Sequence, residues 1–368
     1  MRTENALERL TSWLQDRMPA RTDLQVENSS RVTFGHSAEM LALTLAWPTA
    51  TGRRRQDVVV RLRPPFPGLL EPYDMARQFT ILRALEKTDV RSPAVLWLDE
   101  SGEVLGRPFY VMERIAGDVY EQQMPAELDA RPATVHRMTR ALVEQLAAIH
   151  LVDLSGTGLV ALGDGRSYLD HQLDRWTAEM RRVQRGELPG LERLLAELRD
   201  RRPTASERVT LVHGDPKPGN FAFVDGEVTG VFDWEMAGIG DPLADVGYLD
   251  LLWKTPVFFT SRPAALTSDE AVAYYEELTG IPVRHREWYR ALQAFKTSVI
   301  LLVGAMLFDA GHTDDPRFGM MGRAITPYVR RSLSDFGINE PPPSGPVEPR
   351  PERLLKPDPA RSGDRTGR

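Results

Sequence analysis

The sequence contains no cysteine among its 368 residues. Disulfide bonds, thiolate nucleophiles and cysteine-ligated metal sites are therefore excluded, and the composition is compatible with a reducing compartment. The sequence also lacks a large excess of either charge, since 46 basic and 52 acidic residues leave a net charge of −6. That balance gives no support for binding to nucleic acid or to a membrane surface. We expect neither among the partners.

Long hydrophobic runs are missing as well. The first residues carry Leu7, Leu10 and Leu14 at helical spacing, not the apolar core of a secretion signal. The most apolar stretch, "SVILLVGAMLF" (298–308), is shorter than a membrane span, and we interpret it as part of a buried helix. A cytoplasmic protein is expected. The length predicts two domains, and 42% hydrophobic residues suffice for a sizeable core.

The first third of the chain indicates mainly β-structure. Residues 24–113 predict strands with one helix; the segments are strands at 39–47 and 56–63, an exposed hairpin turn "GRRR" at 52–55, a helix at 73–87 and two strands within 93–114. Later segments have apolar residues at helical spacing, namely 134–152, 168–184, 188–200, 268–279 and 285–311. The tail, 339–368, holds eight prolines and little to bury, and we expect it to be disordered.

Two short segments interrupt this helical half. "LVHGDPKPGN" (211–220) and "VFDWEMAGIGDP" (231–242) both place polar residues after apolar, strand-like runs. Carboxylate and amide oxygens are ligands that Mg²⁺ prefers. Phosphoryl transfer requires a residue that orients the acceptor hydroxyl and metal ions that bridge the phosphates. Asp215, Asn220 and Asp233 supply these residue types where a loop and a strand end can converge.

These segments resemble the paired signature of aminoglycoside phosphotransferases and choline kinase-like enzymes, distant relatives of protein kinases. The matched positions are His213, Gly214, Asp215, Asn220, Asp233, Trp234, Glu235, Gly240, Asp241, Pro242 and Asp245. The resemblance extends through most of residues 25–335. It is strongest to the bacterial branch related to the phosphotransferase domain of acyl-CoA dehydrogenase fusions.

The resemblance implies an α+β, bilobal, protein-kinase-like fold. It has a small, mostly antiparallel β N-lobe with one main helix and a larger, mostly α-helical C-lobe. The implied N-lobe with its N-terminal helix is residues 1–113 and covers the nucleotide. Residues 114–117 form the linker between lobes, and 118–338 the C-lobe with the catalytic loop, the metal-binding loop and the acceptor site.

The resemblance also implies residue roles. Asp215 is the catalytic residue that orients the acceptor hydroxyl and takes its proton, and Asn220 and Asp233 are the Mg²⁺ ligands. The adenine meets backbone groups near Met112, Glu113 and Arg114. We expect His213 to brace the loop, and Asp241 and Asp245 to fix a loop and helix N-termini, while Trp234 and Glu235 are left without an assigned role.

Three positions depart from the family pattern. The strand cation that contacts the ATP phosphates is Arg61 instead of lysine, with Arg63 as the alternative if the register slips by two. Gln78 stands where a helix-borne glutamate is expected, and an amide cannot neutralise a guanidinium. The phosphate-covering loop (32–40) has only one glycine, with Ser37 as a candidate phosphate contact.

These features predict an ATP-dependent O-phosphotransferase acting on a hydroxyl of a small molecule, with ATP (GTP as the alternative) and Mg²⁺ as cofactors. A kinase of peptide or protein Ser/Thr, and a catalytically silent nucleotide-binding module of the same fold, are the alternatives. Residues 114–338 carry 25 basic and 32 acidic side chains. This favours a cationic or neutral acceptor, such as an aminoglycoside or amino alcohol, while a hydroxyacyl compound stays an alternative. The sequence does not indicate an oligomeric state.

Overall fold

The computed structural model describes residues 3–32, 39–121, 125–163, 165, 168–184, 186–204, 208–253 and 255–339. Except for Asn339, the tail predicted to be disordered lies outside these residues. The chain divides into two compact units. The first comprises Met1–Asp164, Thr210–Ile239 and Leu252–Ile281, and the second Gly165–Val209, Gly240–Leu251 and Pro282–Arg368. The lobe boundaries derived from the resemblance stay a prediction.

The first unit contains a five-stranded antiparallel sheet of order β1-β2-β3-β5-β4. Its strands are β1 (Gln25–Val32), β2 (Glu39–Thr49), β3 (Gly52–Leu62), β4 (Val95–Asp99) and β5 (Phe109–Glu113). The predicted strands 39–47 and 56–63 correspond to β2 and β3. The prediction of a turn at "GRRR" (52–55) is wrong, because these residues begin β3 and pair with the end of β2. Ala50 and Thr51 make the turn, and Arg53 and Arg55 bind Glu27.

Successive side chains of β3 point to opposite faces of the sheet, and the two faces have different surroundings. Val58 and Val60 face an apolar cluster that includes helix α1 (Thr3–Arg17), whose Leu10 and Leu14 are buried there. Val59 and Arg61 therefore lie on the opposite face, where they line a cavity. The predicted helix 73–87 is α2 (Met75–Leu85) and contacts β4 and β5. Strand alternation thus places Arg61 on the cavity face.

The remainder of the first unit supports the polar motifs. It contains β6 (Asp118–Val119), α3 (Ala126–Asp129), α4 (Pro132–His150), β7 (Thr210–Val212), β8 (Phe221–Val224), β9 (Glu227–Val231) and α8 (Ser268–Thr279). As predicted, β8 and β9 form a hairpin, and β6 pairs with β8. Asp225 (φ 51°) and Gly226 (φ 87°) make its turn, the left-handed pair that a tight two-residue hairpin requires. Strand β10 (Gly238–Gly240) lies within the second motif.

The second unit is helical. It contains α5 (Tyr168–Val183), α6 (Pro189–Asp200), α9 (Arg286–Asp309), α10 (Pro316–Met321), α11 (Ile325–Asp335) and most of α7 (Leu243–Trp253). Helix α9 contacts α5, α6, α10 and α11. By length and composition α9 could cross a membrane, but 78% of its most apolar window is buried within the protein. It is therefore best interpreted as a core helix, as predicted for this stretch.

Asp241 has the predicted structural position in this unit. Its carboxylate accepts a hydrogen bond from the Leu243 amide at 3.0 Å, at the start of α7. It accepts a second from the Tyr289 hydroxyl of α9 at 2.7 Å. Asp241 therefore joins the beginning of α7 to α9 from a buried position.

Candidate active site

The segment between β7 and β8 is a loop held by His213, which is fully buried. The ring Nε2 donates to the Phe232 carbonyl at 2.8 Å, and Nδ1 accepts from the Asp215 amide at 3.2 Å. These partners fix one neutral tautomer, because one ring nitrogen donates and the other accepts. Both bonds go to the backbone of the two motifs, which is the bracing role predicted for His213.

Gly214 fits a backbone position that no side chain could share. Its φ is +83°, and a Cβ added here would lie 2.5 Å from the Met236 carbonyl oxygen. The loop between β7 and β8 and the segment after Asp233 therefore approach each other through this glycine.

Gly214→Ala is expected to lower the free energy of unfolding by about 2–3 kcal/mol, since a left-handed alanine costs about 1–2 kcal/mol and overlap adds at least about 1 kcal/mol. Gly158→Ala is the matched control, because Gly158 has φ +76° but no atom within 4 Å of an added Cβ. Urea unfolding of both variants measures the difference. Equal losses would show that the close approach to Met236 is unimportant.

Asp215 is held by Asn220. The Asn220 side-chain amide donates to the Asp215 carbonyl at 2.7 Å and to Asp215 Oδ2 at 3.0 Å. Asp215 Oδ1 is buried and has no hydrogen-bond partner among the described residues. A carboxylate with one oxygen fixed and the other unsatisfied is oriented to accept a proton or bond from a ligand.

Asp233, in the second motif, has a strained backbone conformation. Its φ and ψ are 68° and 54°, which is uncommon for a residue other than glycine. Its Oδ1 accepts a hydrogen bond from Arg61 Nη2 at 2.7 Å, and Glu235 Oε2 accepts from the same nitrogen at 2.9 Å. Burial alone would raise the pKa of Asp233, but the positive charges of Arg61 and Lys217 hold that pKa below its usual value.

Lys217 adds a second cation to the site. Its ammonium group binds Glu121 at 2.8 Å. Burial alone would lower the pKa of Lys217, but the negative charges of Asp215, Glu121 and Asp233 raise it above its usual value. Lys217 is therefore a cation held between carboxylates.

A cavity of about 250 Å³ in the first unit joins these groups. One part is apolar, with side chains that include Met40, Val59 and Met112; Glu113 and Arg114 also line the cavity. The polar part is lined by Arg61, Glu121, Lys217, Asn220 and Asp233. The cavity thus offers an apolar compartment beside a cluster of charges.

The donor set fits a magnesium ion. Asn220 uses its amide nitrogen on Asp215, which leaves its oxygen for another partner, and Asp233 has a second oxygen beyond the one that Arg61 binds. Within the described residues, no three His, Asp or Glu side chains form a metal cluster. A site of one carboxylate and one amide suits Mg²⁺, which usually completes its shell with waters and substrate phosphates.

The structure brings most of the predicted site residues together. Arg61, Met112, Glu113, Arg114, Asn220 and Asp233 line the cavity, and Asp215 is bonded to Asn220. Arg63 instead binds Glu71 at 3.4 Å. Ser37, in the predicted phosphate-covering loop, lies outside the described residues. The roles of these residues stay predictions.

The sequence did not predict the part that two residues, Lys217 and Glu235, take in the site. Lys217 was not singled out, although it stands inside the quoted motif between Asp215 and Asn220. Glu235 was left without a role, and its bond to Arg61 depends on residues 174 positions apart. Gln78 is buried and lies 3.4 Å from the Tyr110 hydroxyl, and among the described residues no hydrogen bond joins it to Arg61. The missing helix glutamate was the signal that Arg61 needed another carboxylate.

Comparison with known proteins identifies the family. The model of the phosphotransferase enzyme family, APH, matches residues 46–290, more than half of the chain. The chain belongs to the phosphotransferase enzyme family. This membership confirms the predicted family and the predicted enzyme class, a phosphotransferase.

Comparison with individual proteins supports the same family assignment. Acyl-CoA dehydrogenase family member 10 of Mus musculus is 32% identical over 259 residues, 67% of this phosphotransferase and 24% of the mouse protein. Among solved structures, a Ralstonia eutropha protein assigned as an aminoglycoside phosphotransferase is 22% identical, with a TM-score of 0.70 over 89% of this chain and 97% of that one. A thermostable mutant of aminoglycoside phosphotransferase APH(4)-Ia, in ternary complex with AMP-PNP and hygromycin B, is 16% identical, with a TM-score of 0.53 over 89% and 98%.

These likenesses confirm the α+β, bilobal, kinase-like fold class and the predicted relation to the acyl-CoA dehydrogenase fusions. The phosphotransferase spans about a quarter to a third of the length of the curated relatives that it matches.

Proposed function

We propose that the protein transfers the γ-phosphate of ATP to a hydroxyl group of a small molecule. The observation that carries the proposal is the paired geometry of the two motifs. Asp215 presents an unsatisfied carboxylate oxygen, and its partner Asn220 lines the same cavity as Asp233 and Arg61. An acceptor base, two metal-ligand types and a phosphate cation are the parts that phosphoryl transfer requires.

The apolar compartment would hold adenine. Met40, Val59 and Met112 line it. The Glu113 amide donates to the Ala94 carbonyl at 2.8 Å and the Arg114 amide to the Asp57 carbonyl at 3.3 Å. Among the described residues, no backbone hydrogen bond outside the regular strands occupies the Glu113 carbonyl or the Ile115 amide, and both residues line the cavity. A carbonyl here favours the amino group of adenine over the oxygen that guanine carries at the same position, so ATP is the proposed donor.

The polar compartment would hold the phosphates. Arg61 and Lys217 supply positive charge, and Asn220 and Asp233 are the residues that would bind Mg²⁺, which when bound neutralises charge on the phosphates. Asp215 would orient the acceptor hydroxyl and take its proton as the phosphate is transferred. Asn220 keeps that carboxylate in position through its bond to Oδ2.

The acceptor is proposed to be small and hydroxylated. The solved relative APH(4)-Ia was captured with hygromycin B, a small molecule, alongside AMP-PNP. The acidic excess in residues 114–338 supports a cationic or neutral acceptor, such as an aminoglycoside-like compound or an amino alcohol, with a hydroxyacyl compound as the alternative. We further propose that the protein acts in the cytoplasm.

Calorimetry tests the nucleotide and metal assignments. We expect ATP to bind more tightly in millimolar Mg²⁺ than in EDTA, and Asp233→Ala to remove that difference because it deletes a ligand. Asp241→Asn is the control, since Asp241 bonds Leu243 and Tyr289 and lies outside the cavity lining. An ATP affinity of the wild type that ignores Mg²⁺ would refute the assignment of Asn220 and Asp233.

A further inference from the structure

The neighbourhood of Arg61 contains one carboxylate more than metal binding needs. Arg61 is 5% exposed, and a buried guanidinium requires a compensating charge. Helix α2 presents only the neutral amide of Gln78, which lies near Tyr110 and Met75. The negative charge comes instead from Asp233 and Glu235, which share the Nη2 atom of Arg61.

The two carboxylates have different surroundings. Asp233 lines the cavity and its side chain is 16% exposed, whereas the Glu235 side chain is 5% exposed and is absent from the cavity lining. Asp233 is therefore the one that a ligand in the cavity can reach. Glu235 contacts Arg61 but does not line the cavity.

We propose that Glu235 is the positioning residue for Arg61, taking the part that a carboxylate on helix α2 would otherwise play. The inference rests on the proposed function. A metal ion bound to the second oxygen of Asp233 would weaken the ion pair between Asp233 and Arg61, because a dication withdraws negative charge from the whole carboxylate. Glu235 then keeps the guanidinium neutralised and directed at the phosphates. Asp233 would thus bind the metal ion, and Glu235 would hold Arg61.

The test compares ADP affinity with and without Mg²⁺, and we call the ratio of the two dissociation constants the magnesium gain. Glu235→Gln keeps the shape and one acceptor oxygen but removes the charge. Among the described residues Arg61 then has Asp233 as its only carboxylate partner, so binding a metal to Asp233 weakens the one ion pair left to a buried guanidinium. We expect the magnesium gain to fall about tenfold or more, while ADP affinity in EDTA is not weakened.

Glu71→Gln is the matched control. Glu71 binds Arg63, the neighbouring arginine after β3, so its loss removes the same charge nearby without touching Arg61. We expect this variant to keep the full magnesium gain. Glu235→Asp, which keeps the charge on a shorter side chain, should give an intermediate loss, and it carries the comparison if Glu235→Gln does not fold.

The outcomes separate the inference from the function beneath it. A wild type without a magnesium gain would overturn the metal assignment and the inference together. A wild-type gain that Glu235→Gln retains in full would overturn the inference alone. It would also be overturned if Glu71→Gln lost as much gain, because bulk charge would then be the cause. Equal weakening of ADP binding with and without Mg²⁺, accompanied by a large fall in melting temperature, would assign Glu235 a merely structural role.

Discussion

Asp215→Asn is expected to lower kcat for phosphoryl transfer by about 10²–10⁴-fold, the usual cost of removing a positioned general base. The physical reason lies in the two oxygens of this carboxylate. Oδ2 accepts a bond from Asn220, and an asparagine oxygen can accept the same bond. Oδ1 has no partner among the described residues, and the substitution removes the charge that would receive the proton there.

The same variant should fold and bind nucleotide much like the wild type. The Asp215 amide would still donate to His213, and the Asp215 carbonyl would still accept from Asn220, because both are backbone groups. Melting temperature and ATP affinity are therefore the controls for the rate measurement. If stability and ATP affinity fell together with kcat, Asp215 would be bracing the loop and not acting on the acceptor.

Arg61→Met is expected to lower the free energy of unfolding by about 3–5 kcal/mol, because it leaves the mostly buried carboxylates of Asp233 and Glu235 without their shared partner. ATP affinity should fall as well, since the cation that faces the phosphates is lost. Arg63→Met is the matched control. Its partner is Glu71 at 3.4 Å and its side chain is 36% exposed, so we expect a change below about 1 kcal/mol.

The pH dependence of this difference has a defined sign. In the wild type the pKa of Asp233 lies below its usual value, so its stabilising contribution is present above the unfolded pKa and is lost as pH falls through the folded pKa. The gap between the wild type and Arg61→Met should be widest near neutral pH and narrow below about pH 4, where carboxylates become protonated. Urea unfolding across this range measures it. A gap that stays constant with pH would show that lost packing, not charge, is responsible.

Local patterns in the sequence predicted much of the fold. The strands that became β2 and β3, the helix α2 and the hairpin of β8 and β9 all follow from periodicity and turn residues. Helix α7 was not predicted, because "LADVGYLDLLW" is apolar on nearly every side and has no amphipathic period. The turn placed at residues 52–55 was wrong because charged residues also occur in exposed, twisted strand ends that pair with neighbours.

The candidate site was predicted only in part, because a sequence pattern shows contacts between residues that are close along the chain. Asp215 and Asn220 are five residues apart, so their association is local and visible in the motif. The bonds from Arg61 to Asp233 and Glu235 span 172 and 174 residues. No local pattern could show that Glu235, and not a residue of helix α2, would supply the second carboxylate, since that depends on which side chains the fold brings together.

Turnover of ATP with a panel of hydroxylated acceptors tests the central claim most directly. The panel should include aminoglycosides, amino alcohols and hydroxyacyl thioesters, with Mg²⁺ present and Asp215→Asn run in parallel. The account predicts that at least one acceptor stimulates ADP formation by the wild type, that a phosphate ester of that acceptor appears in equal amount, and that the variant forms neither above background. ADP formation with no phosphorylated acceptor, or a phosphorylated acceptor made equally well by Asp215→Asn, would contradict it.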